Sequence, residues 1–305
     1  MTDGAPPVVV VANPTAGRGK AGKRIGTVDA MLRELRIEHD VRVAGSAAEM
    51  ERSCRAAAVE GAGVVAVLGG DGTASCAANG LLGTGAALAV LPAGTGDDFA
   101  HAIGAGSLPA AVRLLANPKV RAIDVVRVRA GGRERCFLNV AGAGFDSEVT
   151  ETANAMTVNL GGTGTYLAAL VMTLSRFTPA RYELVVDGEA FSVDAMLVVL
   201  GSGRSYGGGM QVLPQASLVD GELDVCIVEA LSKAAFLRAF PRVFRGRHTT
   251  HPRVRMMRAS TVALAANRGV QVYADGERVG PLPAEFEVMP AALPVVVGPD
   301  AKGIR

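Results

Sequence analysis

The sequence lacks tryptophan, and aromatic residues of all kinds make up only 4% of its 305 residues. Its 38 glycines and 49% hydrophobic residues instead predict many tight backbone turns around an aliphatic core. No uninterrupted apolar stretch approaches the roughly 20 residues that a membrane-spanning helix needs. The formal net charge is only +2, which gives no strong overall field for nucleic acid. The composition therefore predicts a globular chain of two ordinary domains with no nucleic-acid partner.

Cysteine is scarce, and no two cysteines form a Cys-x-x-Cys pair. The four cysteines are scattered along the chain at Cys54, Cys76, Cys136 and Cys226. This scatter favours reduced, mostly buried thiols in a cytosolic protein over a disulfide framework. The first residues, Met1–Pro7, lack a basic segment followed by an apolar core. We therefore expect no signal peptide and a cytoplasmic location.

The first 125 residues alternate between strand signals and helix signals. Continuous aliphatic runs at Val8–Ala12, Val64–Leu68 and Ala87–Pro92 predict strands buried on both faces of a parallel sheet. Ser46 and Glu49 form a capping box that predicts a helix between the first two of these strands. This order predicts a doubly wound parallel sheet, which binds ligands beyond the carboxyl ends of its strands.

The second half of the sequence changes to short strand-like runs joined by tight turns. Only two helices stand out there, near Thr163–Phe177 and Ser232–Phe244. We therefore predict a second domain that is mostly antiparallel β structure. The first domain is placed at residues 1–126, with 295–305 returning to it, and the second at 127–294.

A glycine-rich loop, Asn13–Lys20, follows the first predicted strand. Its Gly19-Lys20 pair resembles the end of a Walker A phosphate loop, but the spacing of the loop does not match that motif. Pro14 stands in place of the first glycine, and Ala21 stands in place of the Ser or Thr that binds magnesium. A generic strand-to-helix turn with exposed amides explains this loop as well as a phosphate site does.

A sharper signal is Gly69–Thr73, with the sequence Gly-Gly-Asp-Gly-Thr. Its glycines allow backbone N–H groups to approach a polyphosphate. Because an acid does not bind phosphate directly, Asp71 implies a divalent cation. Pro92–Phe99 repeats the combination of glycines and acids after the next strand. Loops at successive parallel strand ends lie side by side, so together they favour a phosphate site over three unrelated turns.

On these residues the sequence resembles the diacylglycerol kinase and sphingosine kinase superfamily, and is most similar to its soluble bacterial lipid kinases. The matching segments follow the family's order through essentially the whole chain: Asn13–Gly17, Gly69–Thr73, Pro92–Phe99, Asp124, Asn139–Asp146, Leu218–Asp224, His248–Pro252 and Asp275–Glu277. NAD kinases and phosphofructokinases share the Gly-Gly-Asp-Gly loop. The Gly94–Phe99 loop and the late Asp-Gly-Glu are much more specific to lipid kinases.

The resemblance implies a fold and a reaction. The implied fold is α/β, with a Rossmann-like nucleotide domain of the NAD kinase and diacylglycerol kinase type. A mostly antiparallel β-sandwich follows, and the active site lies in the cleft between the two. The implied reaction is ATP- and Mg²⁺-dependent transfer of the γ-phosphate to a lipid hydroxyl at a membrane surface. Diacylglycerol is the default acceptor, which would give phosphatidic acid.

The resemblance also implies roles for individual residues. The ATP phosphates would contact the loops at Asn13, Pro14, Thr15, Ala16, Gly17, Gly69, Gly70, Asp71, Gly72, Thr73, Gly94 and Thr95. A magnesium and water network would use Asp71, Asp98 and Asp124, and a second, structural magnesium would use Asp220. Asp71 also counts as catalytic, and either Asp275 or Glu277 would be the general base on the lipid hydroxyl. Alternate residues of a strand share a face, so both candidates stay open.

Three positions depart from the family pattern. Ser75 and Cys76 stand where most relatives carry Asn and Glu, and Asp97 stands where Asn is usual. Cys76 does not replace a carboxylate, although the backbone cradle is expected to persist. One alternative is therefore a catalytically weak, nucleotide-binding regulator. The other is an NAD kinase, which the Gly94–Phe99 loop disfavours.

Several further features leave two interpretations open. His248 and His251 have metal-pair spacing, but without a third ligand nearby a structural or cleft-lining role is favoured. The helix around Tyr166–Leu174 serves either as core or as the wall of a lipid pocket. A crowded arginine stretch is either a solvated face or a contact for anionic phospholipid at the inner membrane face. Its members are Arg238, Arg242, Arg245, Arg247, Arg253, Arg255 and Arg258. Homodimers occur among the relatives, so a homodimer is also an open expectation.

Overall fold

The computed structural model describes residues 8–156 and 162–304, apart from the side chains of residues 154 and 162–167. Within this range the chain divides into two compact units. Unit 1 holds the described residues through Val125, the segment Ser217–Gly221 and the described residues from Met289 onward. Unit 2 holds Val126–Ala216 and Glu222–Val288.

Two short segments belong to unit 1 although the sequence placed them in the second domain: Ser217–Gly221 and residues 289–294. Both are held by Asp124, a buried residue. Its carboxylate accepts hydrogen bonds from the backbone N–H groups of Gly221, at 2.7 Å, and Ala291, at 2.8 Å. These partners lie 97 and 167 positions from Asp124 in the sequence, so no local pattern indicates the contacts.

Unit 1 is built on a parallel sheet in the order β4–β3–β1–β2. Its strands are β1 (Val8–Ala12), β2 (His39–Val43), β3 (Val64–Gly69) and β4 (Ala87–Pro92). The three central strands are buried along their whole length, as their continuous aliphatic sequences require, whereas the edge strand β2 is partly exposed. The end of the last strand of the chain runs parallel to β4 through Val295 and Leu88, so the C-terminal segment returns to this unit.

Five helices connect these strands and their continuation: α1 (Ala16–Glu34), α2 (Ala47–Val59), α3 (Asp71–Leu81), α4 (Asp98–Ala102) and α5 (Leu108–Leu114). The predicted capping box starts α2. Ser46 Oγ accepts a hydrogen bond from the backbone N–H of Glu49, and Glu49 Oε2 accepts one from the N–H of Gly45. These bonds satisfy N–H groups that a helix start otherwise leaves unpaired.

Unit 2 is mostly antiparallel. Its strands are β5 (Val120–Ala130), which begins in unit 1, β6 (Arg133–Phe137), β7 (Val140–Gly144), β8 (Ala180–Val186), β9 (Glu189–Gly201), β10 (Leu223–Glu229), β11 (Val254–Ala259), β12 (Thr261–Ala266), β13 (Gln271–Ala274), β14 (Glu277–Pro281) and β15 (Ala284–Val296), which ends in unit 1. Here the main pairing order is β14–β13–β7–β9–β8–β12–β15. Strand β10 pairs with β9 and β11, and β5 pairs with β6 and β15.

Successive side chains in β7 and at the end of β9 in unit 2 belong alternately to two hydrophobic clusters. Ala141 and Val198 belong to the cluster that the strands enclose. Their chain neighbours Val140 and Val199 belong to a second cluster, together with residues of the helices. The alternation follows from the period of two in a β-strand, and it shows that β7 and β9 are covered on both faces.

Three helices contribute to the second cluster in the described part of unit 2, one more than the sequence predicted. They are α6 (Phe145–Ala155), α7 (Gly162–Arg176) and α8 (Lys233–Ala239). Helix α6 begins directly after Gly144, the last residue of β7, which has a φ of 120°. After α8 the chain continues as two 3₁₀ helices, Phe240–Arg245 and Arg247–Thr250. Among the described residues, no helix combines the length and apolar character needed to span a bilayer.

Candidate active site

Three glycine-rich loops lie at the carboxyl ends of neighbouring parallel strands in unit 1. The first loop, Asn13–Gly19, follows β1 and includes the start of α1, where the backbone of Gly17–Gly19 is not helical. The second loop, Gly69–Thr73, ends β3 and starts α3. The third loop, Pro92–Phe99, connects β4 to α4. Since β1, β3 and β4 are adjacent in the sheet, the fold places the three predicted loops side by side, where ligands of open α/β sheets bind.

Direct contacts join the loops to one another. Asn13 Nδ2 donates a hydrogen bond of 3.3 Å to Thr73 Oγ1, which connects the first loop to the second. The backbone N–H of Ala93 donates to the carbonyl of Gly69 at 2.9 Å, which connects the second loop to the third. The loops therefore form one connected surface of backbone and small side chains.

The first loop has an unusual backbone. Gly17, Arg18 and Gly19 follow one another in the left-handed region, with φ of 58°, 59° and 82°. Arg18 is the non-glycine residue among them, and such a conformation is strained for a side chain of its kind. A Cβ on Gly17 would lie 2.1 Å from the carbonyl oxygen of Ala93. Concave runs of backbone of this kind bind anions through their N–H groups.

Glycine is required where the second and third loops meet. A Cβ on Gly94 would lie 2.7 Å from the Cα of Gly70 and 2.5 Å from Asp97 Oδ1. The 11-residue helix α3 starts at Asp71, directly after this contact. The positive end of its dipole and its unpaired N–H groups therefore face the position where the loops converge.

The Asp71 carboxylate joins the second loop to the start of α4. Its Oδ1 accepts a hydrogen bond from the backbone N–H of Phe99 at 2.8 Å, and its Oδ2 accepts one from the N–H of Asp98 at 3.2 Å. Burial raises the pKa of Asp71; the Phe99 N–H opposes this shift, and the charge of Asp98 adds to it. Two neighbouring carboxylates in a partly buried loop create a local negative charge that a cation would relieve.

Asp97 occupies the position where the family usually carries Asn. It has a left-handed backbone, with φ of 54°, and its Oδ1 accepts a hydrogen bond from the N–H of Gly94 at 2.9 Å. Burial raises the pKa of Asp97. An asparagine Oδ1 accepts the same bond, so this departure from the family pattern keeps the geometry of the third loop.

The other two departures, Ser75 and Cys76, are buried in α3. They therefore pack inside unit 1 and do not extend a side chain into solvent beside the second loop. The structure assigns them a place in the packing of α3 and gives no carboxylate at the position where relatives carry Glu.

The four predicted metal ligands are only partly brought together. Asp71 and Asp98 are in contact, as described above. Asp124 already uses both oxygens for the N–H groups of Gly221 and Ala291, and Asp220 is an exposed residue beside Gly221. Within residues 8–156 and 162–304, no three His, Cys, Asp or Glu side chains group in a way that could hold a metal ion.

In unit 2, the Asp-Gly-Glu motif forms the turn between β13 and β14. Asp275 and Gly276 both have positive φ, 47° and 84°, which is the geometry of a tight two-residue hairpin turn. The Asp275 carboxylate accepts hydrogen bonds from three consecutive backbone N–H groups, those of Leu138, Asn139 and Val140, at 2.8, 3.0 and 3.2 Å. Asp275 therefore fixes the chain between β6 and β7.

Glu277, the second candidate base, begins β14 and is exposed. Its carboxylate makes no hydrogen bond or ion pair with any other residue in the described part of the chain. The two candidates thus differ in a testable way: Asp275 supports the surrounding backbone, whereas Glu277 is available to a substrate.

An apolar cavity lies on the helical face of unit 2. Its wall includes Phe145, Leu170, Leu197, Phe236, Phe240 and Val254. Leu170 lies in the predicted Tyr166–Leu174 helix, which therefore supplies part of a pocket wall, while the Tyr166 side chain lies outside the described residues. His248 is buried and also lines the cavity.

One acid, Asp146, lines this apolar cavity. It is buried, its Oδ1 has no hydrogen-bond partner, and burial raises its pKa to about 7. Gly142 makes room for it, since a Cβ there would lie 1.8 Å from Asp146 Oδ2. The sequence interpretation included Asp146 in a family segment and gave it no role. A buried carboxyl with one unpaired oxygen is suited to one hydrogen bond with a polar group of a ligand.

Comparison with known families matches both halves of the chain. Residues 7–128 match the model of the diacylglycerol kinase catalytic domain. Residues 139–297 match the YegS C-terminal NAD kinase beta sandwich-like domain. The second match agrees with the predicted β-sandwich domain, and together the two confirm the predicted fold class.

Curated relatives extend the similarity over nearly the full length. The chain is 38% identical over 296 residues to a diacylglycerol kinase of Mycobacterium tuberculosis, covering 95% of this chain and 94% of that protein. It is 33% identical to a probable lipid kinase YegS-like of Pseudomonas putida, with 83% of each chain covered. A crystal structure of a diacylglycerol kinase from Bacillus anthracis superimposes with a TM-score of 0.75 over 99% of this chain and all of that one. At 21% identity, that superposition shows a shared fold.

Proposed function

Because the chain belongs to the family of diacylglycerol kinases and YegS-like lipid kinases, we propose that it transfers the γ-phosphoryl group of ATP to the hydroxyl of a diacylglycerol. Membership makes it a lipid kinase. The nucleotide, the metal and the acceptor are the finer parts of the proposal, and each is supported by a different part of the structure.

The three loops of unit 1 support ATP as the donor. Their connected backbone, the close approach of Gly70 to Gly94 and the start of α3 at Asp71 together offer N–H groups to a polyphosphate. Phosphoryl transfer depends mainly on positioning and on neutralising charge, so a rigid backbone cradle is well suited to it.

Asp71 and Asp98 are the residues that would hold Mg²⁺. Magnesium binds through one or two carboxylates, substrate phosphates and waters, so a pair of neighbouring acids fits it without a larger cluster. Burial, and to a smaller extent the neighbouring charge of Asp98, raises the pKa of Asp71, and a cation would offset the cost of ionising both acids there. When bound, magnesium would neutralise charge on the phosphate oxygens.

The apolar cavity of unit 2 supports a lipid as the acceptor. It is the single observation on which the choice of a diacylglycerol rests. Its apolar lining suits acyl chains, and Asp146 offers one hydrogen bond, for example to an ester carbonyl, from its protonated form. In the proposed reaction the lipid hydroxyl oxygen forms a bond to the γ-phosphorus while the bond to the β-γ bridging oxygen breaks. The hydroxyl proton passes to Asp275 or Glu277.

Radiolabelled ATP tests this proposal. The purified chain would be incubated with γ-labelled ATP and, separately, with diacylglycerol, sphingosine or NAD in detergent micelles or buffer. We expect label in phosphatidic acid. Transfer to NAD and to no lipid would contradict the proposal, and nucleotide binding without any transfer would support the weak regulator instead.

Two substitutions of alanine by leucine test the acceptor cavity. Ala239 lines the cavity, whereas Ala234 is exposed on the same helix. We expect Ala239→Leu to raise the KM for long-chain diacylglycerol about tenfold and to leave the KM for ATP unchanged, because the added carbons occupy acyl-chain space. Ala234→Leu should change neither constant. Equal effects of the two variants would exclude this cavity as the acyl site.

A further inference from the structure

A long acid-free stretch lies within unit 2. Between Glu229 and Asp275 the sequence has no acidic residue, yet it has one lysine and eight arginines. The whole chain has a net charge of only +2, so this stretch concentrates positive charge far beyond the average of the molecule. Such a concentration implies either partners elsewhere in the fold or an anionic ligand.

Partners elsewhere in the fold account for the arginines on and beside the strands. Arg253 and Arg255 both pair with Glu229, whose side chain is only 12% exposed. Arg258 pairs with Glu222, and Arg268 pairs with Glu148. These four arginines all pair with carboxylates within unit 2, two of them with the same glutamate, so their positions are explained without an external ligand.

The arginines of α8 and the turns after it are different. Arg238, Arg242, Arg245 and Arg247 are all exposed. None of them makes an ion pair or a side-chain hydrogen bond with another residue in the described part of the chain. We call the exposed side of Lys233–Arg247 the basic face. Its arginines place four uncompensated charges on 10 consecutive positions.

Large apolar side chains lie among these charges. Leu237 is 45% exposed and Phe244 is 47% exposed. Exposed leucine and phenylalanine interleaved with arginine are typical of segments that lie in a membrane interface, where apolar tips enter the acyl region and guanidinium groups remain with the phosphates.

The inner side of the same segment faces the cavity. Phe236, Phe240 and Val243 line it. The rings of Phe236 and Phe240 belong to a continuous series of aromatic contacts, with centroids 4.8 to 6.3 Å apart, in the order Phe177, Phe145, Phe236, Phe240 and Phe244. Five of the nine phenylalanines of the chain are in this series. It leads from the buried interior of unit 2 to the exposed ring of Phe244.

We propose that the basic face docks on an anionic lipid bilayer, with Leu237 and Phe244 inserted and Arg238, Arg242, Arg245 and Arg247 on lipid phosphates. Docking there would place Phe244, the exposed end of the aromatic series, in the membrane that contains the lipid acceptor. The docking goes beyond the proposed reaction and does not depend on which lipid is phosphorylated.

The combination of features favours a bilayer over other anionic partners. An exposed leucine and phenylalanine next to arginines gain nothing from the phosphate backbone of a nucleic acid, whereas both gain from an acyl phase. A second copy of this chain would bring the same arginines together across a two-fold interface, where like charges repel.

Vesicle sedimentation with the full chain tests the proposal. One set of vesicles is phosphatidylcholine alone, and the other is equal parts phosphatidylcholine and phosphatidylglycerol. We expect binding to the second set, weakened by salt. Each arginine near an anionic surface contributes about a fivefold change in partitioning, so Arg242→Gln with Arg245→Gln should weaken binding about 25-fold. Leu237→Ser should weaken it about tenfold, and this loss should persist at high salt.

The matched control is Arg52→Gln with Arg113→Gln. Both residues are exposed in unit 1 and without an ion pair among the described residues, so the change in net charge is the same. The control should bind vesicles like the unsubstituted chain. Phosphorylation of diacylglycerol in detergent micelles should be equal in all variants, because micelles remove the need to dock.

Several outcomes would overturn the docking proposal. If Arg52→Gln with Arg113→Gln weakened vesicle binding as much as Arg242→Gln with Arg245→Gln, binding would depend on net charge alone. Equal binding to both vesicle types would remove the role of anionic lipid. A concentration-dependent dimer lost in the Arg242 and Arg245 variant, without any vesicle binding, would assign the face to a second copy. If micellar phosphorylation is absent while vesicle binding behaves as expected, the proposed reaction fails and the docking stands.

Discussion

The Asp71 carboxylate accepts a 2.8 Å hydrogen bond from the backbone N–H of Phe99. This bond connects the second glycine-rich loop to the third across two adjacent parallel strands. Asp71 therefore has a positioning role that the sequence interpretation, which assigned it to metal and catalysis, did not include. The two roles are compatible, because a carboxylate has more lone pairs than the backbone N–H groups of Asp98 and Phe99 use.

Asp71→Asn should slow transfer and weaken the loop contact together. The amide loses the negative charge, and only one of its two polar atoms can still accept an N–H bond. We expect a fall in kcat of about 100-fold or more, the scale on which loss of one charge-stabilising group slows enzymes. We also expect about 1–3 kcal/mol of lost stability, measured by urea unfolding.

The control for this change is Asp97→Asn in the neighbouring loop. Its Oδ1 still accepts the bond from Gly94, so kcat and stability should both stay close to those of the unsubstituted chain. Near-normal turnover of Asp71→Asn, or a comparable loss in Asp97→Asn, would contradict the role assigned to Asp71.

Gly94→Ala should disrupt the phosphate cradle. Its Cβ would meet the Cα of Gly70 at 2.7 Å, and backbone cannot move aside without separating the loops. We expect the Kd for ATP, measured by calorimetry, to rise at least about tenfold, a change of roughly 1.4 kcal/mol. Gly26→Ala is the matched control, since a Cβ there meets no atom within 4 Å and lies within α1. It should leave ATP binding unchanged and add about 0.5–1 kcal/mol of stability.

Local signals explain why these loops could be predicted. The continuous aliphatic runs of β1, β3 and β4 fix buried parallel strands, and the glycines after them mark where each strand ends. The Ser46 and Glu49 capping box was predicted for the same reason, because all its atoms lie within four residues.

Distant contacts explain what could not be predicted. Asp275 binds the N–H groups of Leu138 to Val140, about 136 positions earlier, and Asp124 joins segments 97 and 167 positions away. Asp146 lies in α6, a helix that was not predicted from the sequence, so the burial of its unpaired Oδ1 could not be predicted either. Such features depend on tertiary packing, which no short sequence window contains.

The variants Asp275→Asn and Glu277→Gln separate the two candidate bases. Asp275→Asn should lower stability by about 1–3 kcal/mol, because an amide has one acceptor oxygen, whereas the three backbone donors use both oxygens of the carboxylate. Glu277→Gln should leave stability unchanged because the side chain is exposed and unpaired in the described chain. If this turn supplies the base, at least one variant should slow transfer by about 100-fold or more. Full rates in both would exclude the turn as the proton acceptor.

Asp146→Asn should change how stability depends on pH. Burial raises the pKa of Asp146 to about 7, above the value of about 3.9 for an unfolded aspartate. The folded state therefore holds a proton that the unfolded state has released between these two values. The stability that this proton contributes is complete below pH 4, and it is lost as the pH rises towards 7. The total is at most about 4 kcal/mol.

Urea unfolding at pH 4.5 and pH 8 measures this effect. The drop in unfolding free energy between the two pH values should be smaller in Asp146→Asn than in the unsubstituted chain. Asp300→Asn, at an exposed carboxylate, is the control and should leave the drop unchanged. An identical drop in Asp146→Asn would show that Asp146 is ionised throughout and does not serve as a protonated hydrogen-bond donor in the cavity.

In the proposed reaction, the loops of unit 1 hold ATP while its terminal phosphoryl group is transferred to a lipid hydroxyl. The most direct measurement compares ATP labelled at the γ-phosphorus with ATP labelled at the α-phosphorus, in parallel reactions with diacylglycerol micelles and Mg²⁺. We predict that γ-label accumulates in phosphatidic acid, that α-label does not, and that Asp71→Asn slows accumulation of γ-label about 100-fold or more. Phosphatidic acid that carries no γ-label, or γ-label that appears equally fast with Asp71→Asn, would contradict the proposed reaction.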